Sequence, residues 1–98
     1  MSIKVGQKVI VRTDRAGAFY GLLSSREGTE AVLTNARRIW YWSGAASLSE
    51  LAQCGTSNPG GCKFPVSVDE VLLFGIIEVI STTPVAQASI EAVPIWKA

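Results

Sequence analysis

Between Gln7 and Thr13 the chain alternates Val9, Val11 and Thr13 against Lys8, Ile10 and Arg12, and this β-branched run predicts a first strand. Asp14-Arg15-Ala16-Gly17 supplies turn residues, and Ala18 to Ser25 reads as a second strand in which Gly21 marks a bulge or a close backbone approach. Arg26-Glu27-Gly28 closes a short hairpin, and Thr29 to Thr34 returns as a third strand. Asn35-Ala36 allows a bend or bulge before Arg37 to Trp42, the segment RRIWYW, which reads as a fourth. These four strands are expected to form a meander with short connections.

The period then changes. Ser47-Leu48-Ser49-Glu50 fits a capping box, Leu48, Leu51 and Ala52 share one helical face, and Gly55 can end the helix in a left-handed conformation. Two further strands are expected at Phe64 to Val68 and Val71 to Ser81, with Asp69-Glu70 as the break between them. Thr83 before Pro84 starts a second helix that runs to Glu91, because proline needs no amide donor at the first helical position. Val93-Pro94-Ile95-Trp96 is an extended tail able to lie along a sheet edge. The expected fold is therefore mainly β (α+β): a small antiparallel sheet or partly open barrel, with one short helix after the fourth strand and a second near the C-terminus. With no internal repeat or linker, residues 1–98 read as one domain.

Composition sharpens this picture in a few places. A 48% hydrophobic and 17% charged chain of 98 residues can build one core, which argues against disorder. The formal charge of +1 provides no overall field to hold long nucleic acid or an anionic membrane, so any anion site must be local. Lys4, Lys8 and Arg12 interrupt the N-terminal segment, and Gly75 and Glu78 interrupt the apolar stretch Val71 to Ile80, so neither a secretory leader nor a membrane span is expected and the cytoplasm is the expected location. Cys54 and Cys62 bracket a Gly- and Pro-containing loop; they could bridge it, but in a reducing compartment two free thiols are the default. The chain has no His, so neither a four-ligand zinc site nor the commonest general base is available, and no Gly-rich phosphate loop or serine-nucleophile elbow appears. No catalytic residue, metal ligand or cofactor is expected, and the chain reads as a binding or structural protein rather than an enzyme.

The densest segment is Asn35-Ala36-Arg37-Arg38-Ile39-Trp40-Tyr41-Trp42-Ser43-Gly44-Ala45-Ala46, followed by Ser47-Leu48-Ser49-Glu50-Leu51-Ala52. Here the chain resembles a family of small, largely uncharacterised phage and prophage proteins carrying an NARRIWYWSGAxSLxxLA motif. The resemblance extends over nearly the whole chain, including Lys63-Phe64-Pro65-Val66 and Pro94-Ile95-Trp96. It implies a phage or prophage origin. In size and origin the chain is also similar in kind to phage proteins that sequester the nucleotide messengers of bacterial antiphage defence, although no residue role is carried over from them.

A strand over Arg37 to Trp42 would place Arg38, Trp40 and Trp42 on one face and Arg37, Ile39 and Tyr41 on the other. Guanidinium beside indole suits a ligand with a phosphate and a flat base, since arginine donates in pairs to phosphate while an aromatic face stacks on the base. The same tryptophans could instead fill a core or subunit interface, with arginine stacked over their edges. Ser43-Gly44 lead into the helix N-terminus, where free amides attract anions, but the capping box already employs two such donors. The loop from Gly55 to Gly61 is either a lid or a plain connection, and Asp69-Glu70 point to solvent. The candidate ligand-binding set is thus Arg37, Arg38, Trp40, Tyr41, Trp42, Ser43 and Gly44. The expected partner is a small nucleotide held by a homo-oligomer in the host cytoplasm, with no membrane and no long nucleic acid involved. A virion or decoration component, or a direct inhibitor of a host protein, is the alternative.

Overall fold

The computed structural model describes residues 3–97; Met1, Ser2 and Ala98 lie outside the described residues. The chain is mainly β: the described residues form five antiparallel strands and two α-helices, arranged β1 (Lys8–Thr13), β2 (Ala18–Glu27), β3 (Glu30–Ile39), α1 (Leu48–Cys54), β4 (Val68–Leu73), β5 (Ile76–Ser81) and α2 (Pro84–Glu91). A 3-10 turn at Pro59–Gly61 lies between α1 and β4. The strands form one sheet in the order β4-β3-β2-β1-β5.

Strands β4 and β5 are consecutive in the chain yet occupy opposite edges, and this dictates the shape. A flat sheet would separate its outer strands by about 19 Å at the usual spacing, whereas Leu73 and Ile76 are three residues apart and can span only about 10 Å. The sheet must therefore curl until its edges approach at Phe74-Gly75. Gly75 makes the turn at φ 69°. Its carbonyl accepts from Asp14 N–H at 2.8 Å, and Ile76 N–H donates to Thr29 at 2.9 Å, so the linker is pinned to both hairpin turns.

Alternation along β1 and β2 buries both faces. Val9, Val11, Phe19, Leu23, Leu33, Ala36, Leu73 and Ile76 pack together inside the curl without any helical residue. On the opposite face Ile10, Tyr20 and Ile39 meet Leu51 and Ala52 of α1, Ile90 of α2, and Cys62, Phe64 and Val93. Register explains the sorting: Arg37, Tyr20, Ile10 and Ile80 form one row across the sheet, and Arg38, Phe19, Val11 and Val79 the next row on the other side.

Several expectations change. The segment from Arg37 to Trp42 is not a fourth strand, because Asn35-Ala36 is a bulge and β3 runs through it to Ile39. Gly21 faces that bulge; a Cβ there would lie 3.1 Å from Ala36 Cα and from the Thr34 carbonyl oxygen, which is the close approach expected of it. The first helix consequently follows the third strand, not the fourth. The segment from Phe64 to Val68 is not a strand of its own: Phe64 makes an isolated bridge with Ile95, as Lys63 before it does with Tyr41, and Val68 opens β4 opposite Ala36. The break between the last two strands falls at Phe74-Gly75, while Asp69-Glu70 lie exposed within β4. An edge strand with a solvated outer face tolerates such carboxylates. The tail pairs with Phe64 through Trp96 N–H at 3.0 Å and does not add to the five-stranded sheet.

Both helix starts follow their caps. Ser47 accepts from Glu50 N–H at 3.2 Å, although the Glu50 carboxylate returns to Ala46 N–H instead of to Ser47. Thr83 accepts from Ala86 N–H at 3.1 Å, with Pro84 following. Gly55 ends α1 at φ 79°, its amide donating to Leu51. No helix among the described residues is long and apolar enough to cross a membrane.

Candidate functional site

Arg37 and Arg38 are neighbours in sequence with opposite fates. Arg37 shares the face of Ile39 and Tyr20 and is buried to 7% exposure. Four of its five N–H groups meet backbone carbonyls: Nε donates to Pro65 at 3.2 Å, Nη1 to Ile90 at 3.1 Å, and Nη2 to Phe64 at 3.0 Å and Val93 at 2.8 Å. The group lies 5.5 Å from the centroid of Phe64. Burial lowers its pKa from the usual arginine value, and among the described residues no carboxylate pairs with it. Arg37 thus gathers β3, the end of α2, and the segment before β4 around one cation. Arg38 lies on the other face, its guanidinium 4.3 Å from the centroid of Phe19, and Nη1 donates to Ala16 at 2.7 Å.

The three aromatic residues of the motif also separate, because the chain leaves the sheet after Ile39 and the period of two no longer applies. Trp42 packs on the same core as Ile39 and donates from Nε1 to Ala45 at 3.2 Å. Trp40 is exposed at 64% and Tyr41 at 53%. Arg38, Trp40 and Trp42 therefore do not form a shared face. Ser43 and Gly44 anchor the following loop: Ser43 O accepts from Thr56 Oγ1, Ser43 Oγ from Asn58 Nδ2 at 3.1 Å, and Gly44 O from Ser57 N–H at 3.1 Å. Gly44 has φ 80°, and a Cβ there would come within 2.5 Å of Thr56 Oγ1, so these residues build a tight joint. The Gly55 to Gly61 loop is held by these bonds as a connection. Cys54 is exposed and Cys62 buried, both as free thiols.

What the fold does assemble is a cation between two aromatic rings. Lys63 pairs with Tyr41 through an isolated antiparallel bridge, and Trp96 is drawn alongside by its bond to Phe64 O. Lys63 Nζ lies 5.8 Å from the Tyr41 centroid and 5.6 Å from that of Trp96, which is 38% exposed. Such distances favour cation–π attraction, and among the described residues the ammonium has no carboxylate partner. Of the candidate ligand residues named from the sequence, only Tyr41 belongs to this ladder. Lys63 and Trp96 were missed; the available signal was a lone lysine heading an apolar segment and a tryptophan in a tail that must pair somewhere.

A second polar group joins β1, β2 and α2. Glu91 Oε2 accepts from Lys8 Nζ at 2.7 Å and from Tyr20 Oη at 2.5 Å. Burial, then the bond to Glu91, pushes the Tyr20 phenol far above its ordinary pKa. The bond from Lys8, followed by that from Tyr20, holds Glu91 below its ordinary value. The unfolded chain therefore takes up this proton before the folded one. Stability supplied by Glu91 is present above about pH 4.3 and drains as pH falls through its lowered value. Because the carboxylate is about half exposed, the contribution is expected to be under about 1 kcal/mol. Urea midpoints measured at pH 6 and pH 3 should differ less in Glu91→Gln than in the parent.

The fold and site together describe a small β domain with exposed cation–aromatic features. The chain belongs to the family described as a domain of unknown function (DUF6948), whose family model matches residues 6–90. No curated protein and no solved structure matches it.

Proposed function

We propose that this chain is a phage-encoded, non-catalytic binding protein that sequesters a phosphate-bearing nucleotide signal of bacterial antiphage defence in the host cytoplasm. The Tyr41–Lys63–Trp96 ladder carries the reading. Two accessible aromatic rings supply stacking surfaces for a base, and the ammonium between them supplies the charge for a phosphate. The phage origin rests on the motif resemblance. Relative to the sequence expectation, the chemistry is kept and the residues move: Arg37, Trp42, Ser43 and Gly44 are committed to the fold, while Tyr41 remains a ligand residue and gains Lys63 and Trp96.

Titration with AMP, 3′,5′-cyclic AMP and cyclic di-AMP, followed by tryptophan fluorescence, tests this reading. Quenching that saturates is expected, and Lys63→Met or Trp96→Ala should weaken it by about tenfold or more, the range one stacked base commands. Nucleotides that leave the emission unchanged at millimolar concentration, or that bind both variants as well as the parent, would defeat the proposal.

A second reading, a virion or assembly component, or a protein that docks on a host protein, rests on Leu72 and Ile77 on the two edge strands and Phe74 in the turn between them, all exposed. Among the described residues the outer sides of β4 and β5 carry no neighbouring strand, which leaves edges on which a homo-oligomer could form. Sedimentation of the pure protein, read together with the nucleotide titration, separates the readings. A monomer that binds nucleotide favours sequestration without assembly, and an oligomer broken by Phe74→Lys favours the apolar edge as an interface.

A further inference from the structure

We infer that the cavity between β1, β2, β3 and the C-terminal tail binds a small organic monoanion with an apolar body, such as a carboxylate. This site is separate from the Tyr41–Lys63–Trp96 ladder and does not depend on the nucleotide reading. The cavity holds about 390 Å³, which lies in the range of small-molecule sites. Leu22, Val93 and Ile95 give it apolar walls.

Its charge is unbalanced. Lys8, Arg37 and Glu91 all line it, so two cations face one carboxylate. The Glu91 carboxylate is already engaged by Lys8 at 2.7 Å and by the Tyr20 hydroxyl. The Arg37 bonds go to neutral carbonyls, which satisfy its donors without cancelling its charge. A buried charge without a counterion is costly, and an entering anion would offset that cost.

The backbone also bends toward this place. Asn35 adopts φ 49° at the β3 bulge, a left-handed conformation that asparagine tolerates better than most residues, and Asn35 lines the cavity beside Gly21. Bulges commonly re-aim a side chain beside a site. Here Asn35 and Ser67 add amide and hydroxyl donors to a rim that also carries the ammonium of Lys8. Net positive charge, donors at the rim and apolar walls together select a monoanion with a hydrocarbon part over a neutral molecule or a bare phosphate.

Amide chemical shifts of the ¹⁵N-labelled full chain, recorded with benzoate, hexanoate, benzamide and inorganic phosphate, test the inference. Benzoate or hexanoate should move the Gly21, Leu22, Asn35 and Val93 signals saturably, and benzamide and phosphate should not. Ser67→Trp, a change at an exposed rim residue, should abolish the effect by filling the mouth. Lys8→Met removes one cation and should weaken binding by about tenfold, whereas Glu91→Gln should strengthen it. Spectra of each variant report directly whether the fold is kept. Equal shifts with benzoate and benzamide, no shifts with either carboxylate, or binding that survives Ser67→Trp would overturn the assignment.

Discussion

Arg37→Met is expected to cost about 3 kcal/mol or more of stability, read as a fall in urea midpoint at unchanged slope. Methionine matches the aliphatic stem and removes the expense of burying a charge, which by itself would favour the variant. The partners decide the sign. Ile90, Val93, Phe64 and Pro65 present backbone carbonyls, which no side-chain substitution can remove; Phe64 O keeps the Trp96 amide and Ile90 O the Val93 amide, while Val93 O and Pro65 O are left without the donor that Arg37 supplies. An orphaned buried acceptor costs about 1–3 kcal/mol, so two of them, with one bond fewer at each of the other two carbonyls, outweigh the relieved desolvation. Arg37→Lys should recover part of the stability only, because an ammonium bonds from a single point and the four carbonyls surround a planar fork. Arg38→Met is the control. It stands on the other face with one bond to Ala16 and should cost less than about 1 kcal/mol.

The contrast between these two arginines also shows where the sequence was readable. Alternation ties Arg37 to Ile39, and an isoleucine at the end of a half-buried strand marks the core face, so the direction of Arg37 was legible and its partners were not. Those partners come from residues 27 to 56 positions away, and no local pattern encodes them. Local chemistry carried furthest where it was self-contained: the Ser47 and Thr83 caps, the Gly55 stop, and the bulge opposite Gly21 all lie where short-range rules put them. It failed at Trp40, because apolar alternation continues through RRIWYW while the strand does not. The chain leaves β3 to pair Tyr41 with Lys63, a choice made by the docking of a distant segment. Gly75 outweighs Asp69-Glu70 as a strand break for a related reason. Carboxylates are tolerated on a solvated edge strand, but the crossing from one sheet edge to the other requires a tight turn at positive φ.

For the candidate site, residue types were legible and their grouping was not. Cation beside aromatic ring was the expected chemistry, and the fold provides it at Tyr41, Lys63 and Trp96, residues separated in sequence but joined by two isolated bridges. Phe64, next to Lys63, makes the second of these bridges, and its carbonyl accepts from Trp96 N–H and from Arg37.

Phe64→Ala should accordingly have the other large effect, about 3–5 kcal/mol of lost stability. Phe64 is fully buried, among Leu51, Ala52, Cys62, Ile90 and Val93 on the helical side of the sheet. Truncation removes a large apolar transfer contribution and leaves a void that two helices and a tail cannot all close upon. At about 4–8 °C per kcal/mol for a domain of this size, the unfolding midpoint should fall by about 12 °C at least. Phe74→Ala, at an exposed turn residue, should change stability by less than about 0.5 kcal/mol. The two phenylalanines thus separate a residue that joins the helical layer to the sheet from one that the folded monomer leaves bare. The form of the Phe64→Ala transition adds a further reading. A single cooperative unfolding at lower denaturant means that the curled sheet and its helical cover fold as one unit. A first loss of Trp96 signal, followed by a later loss of β-sheet signal, means that the ladder and tail detach first and that the sheet retains its own core inside the curl.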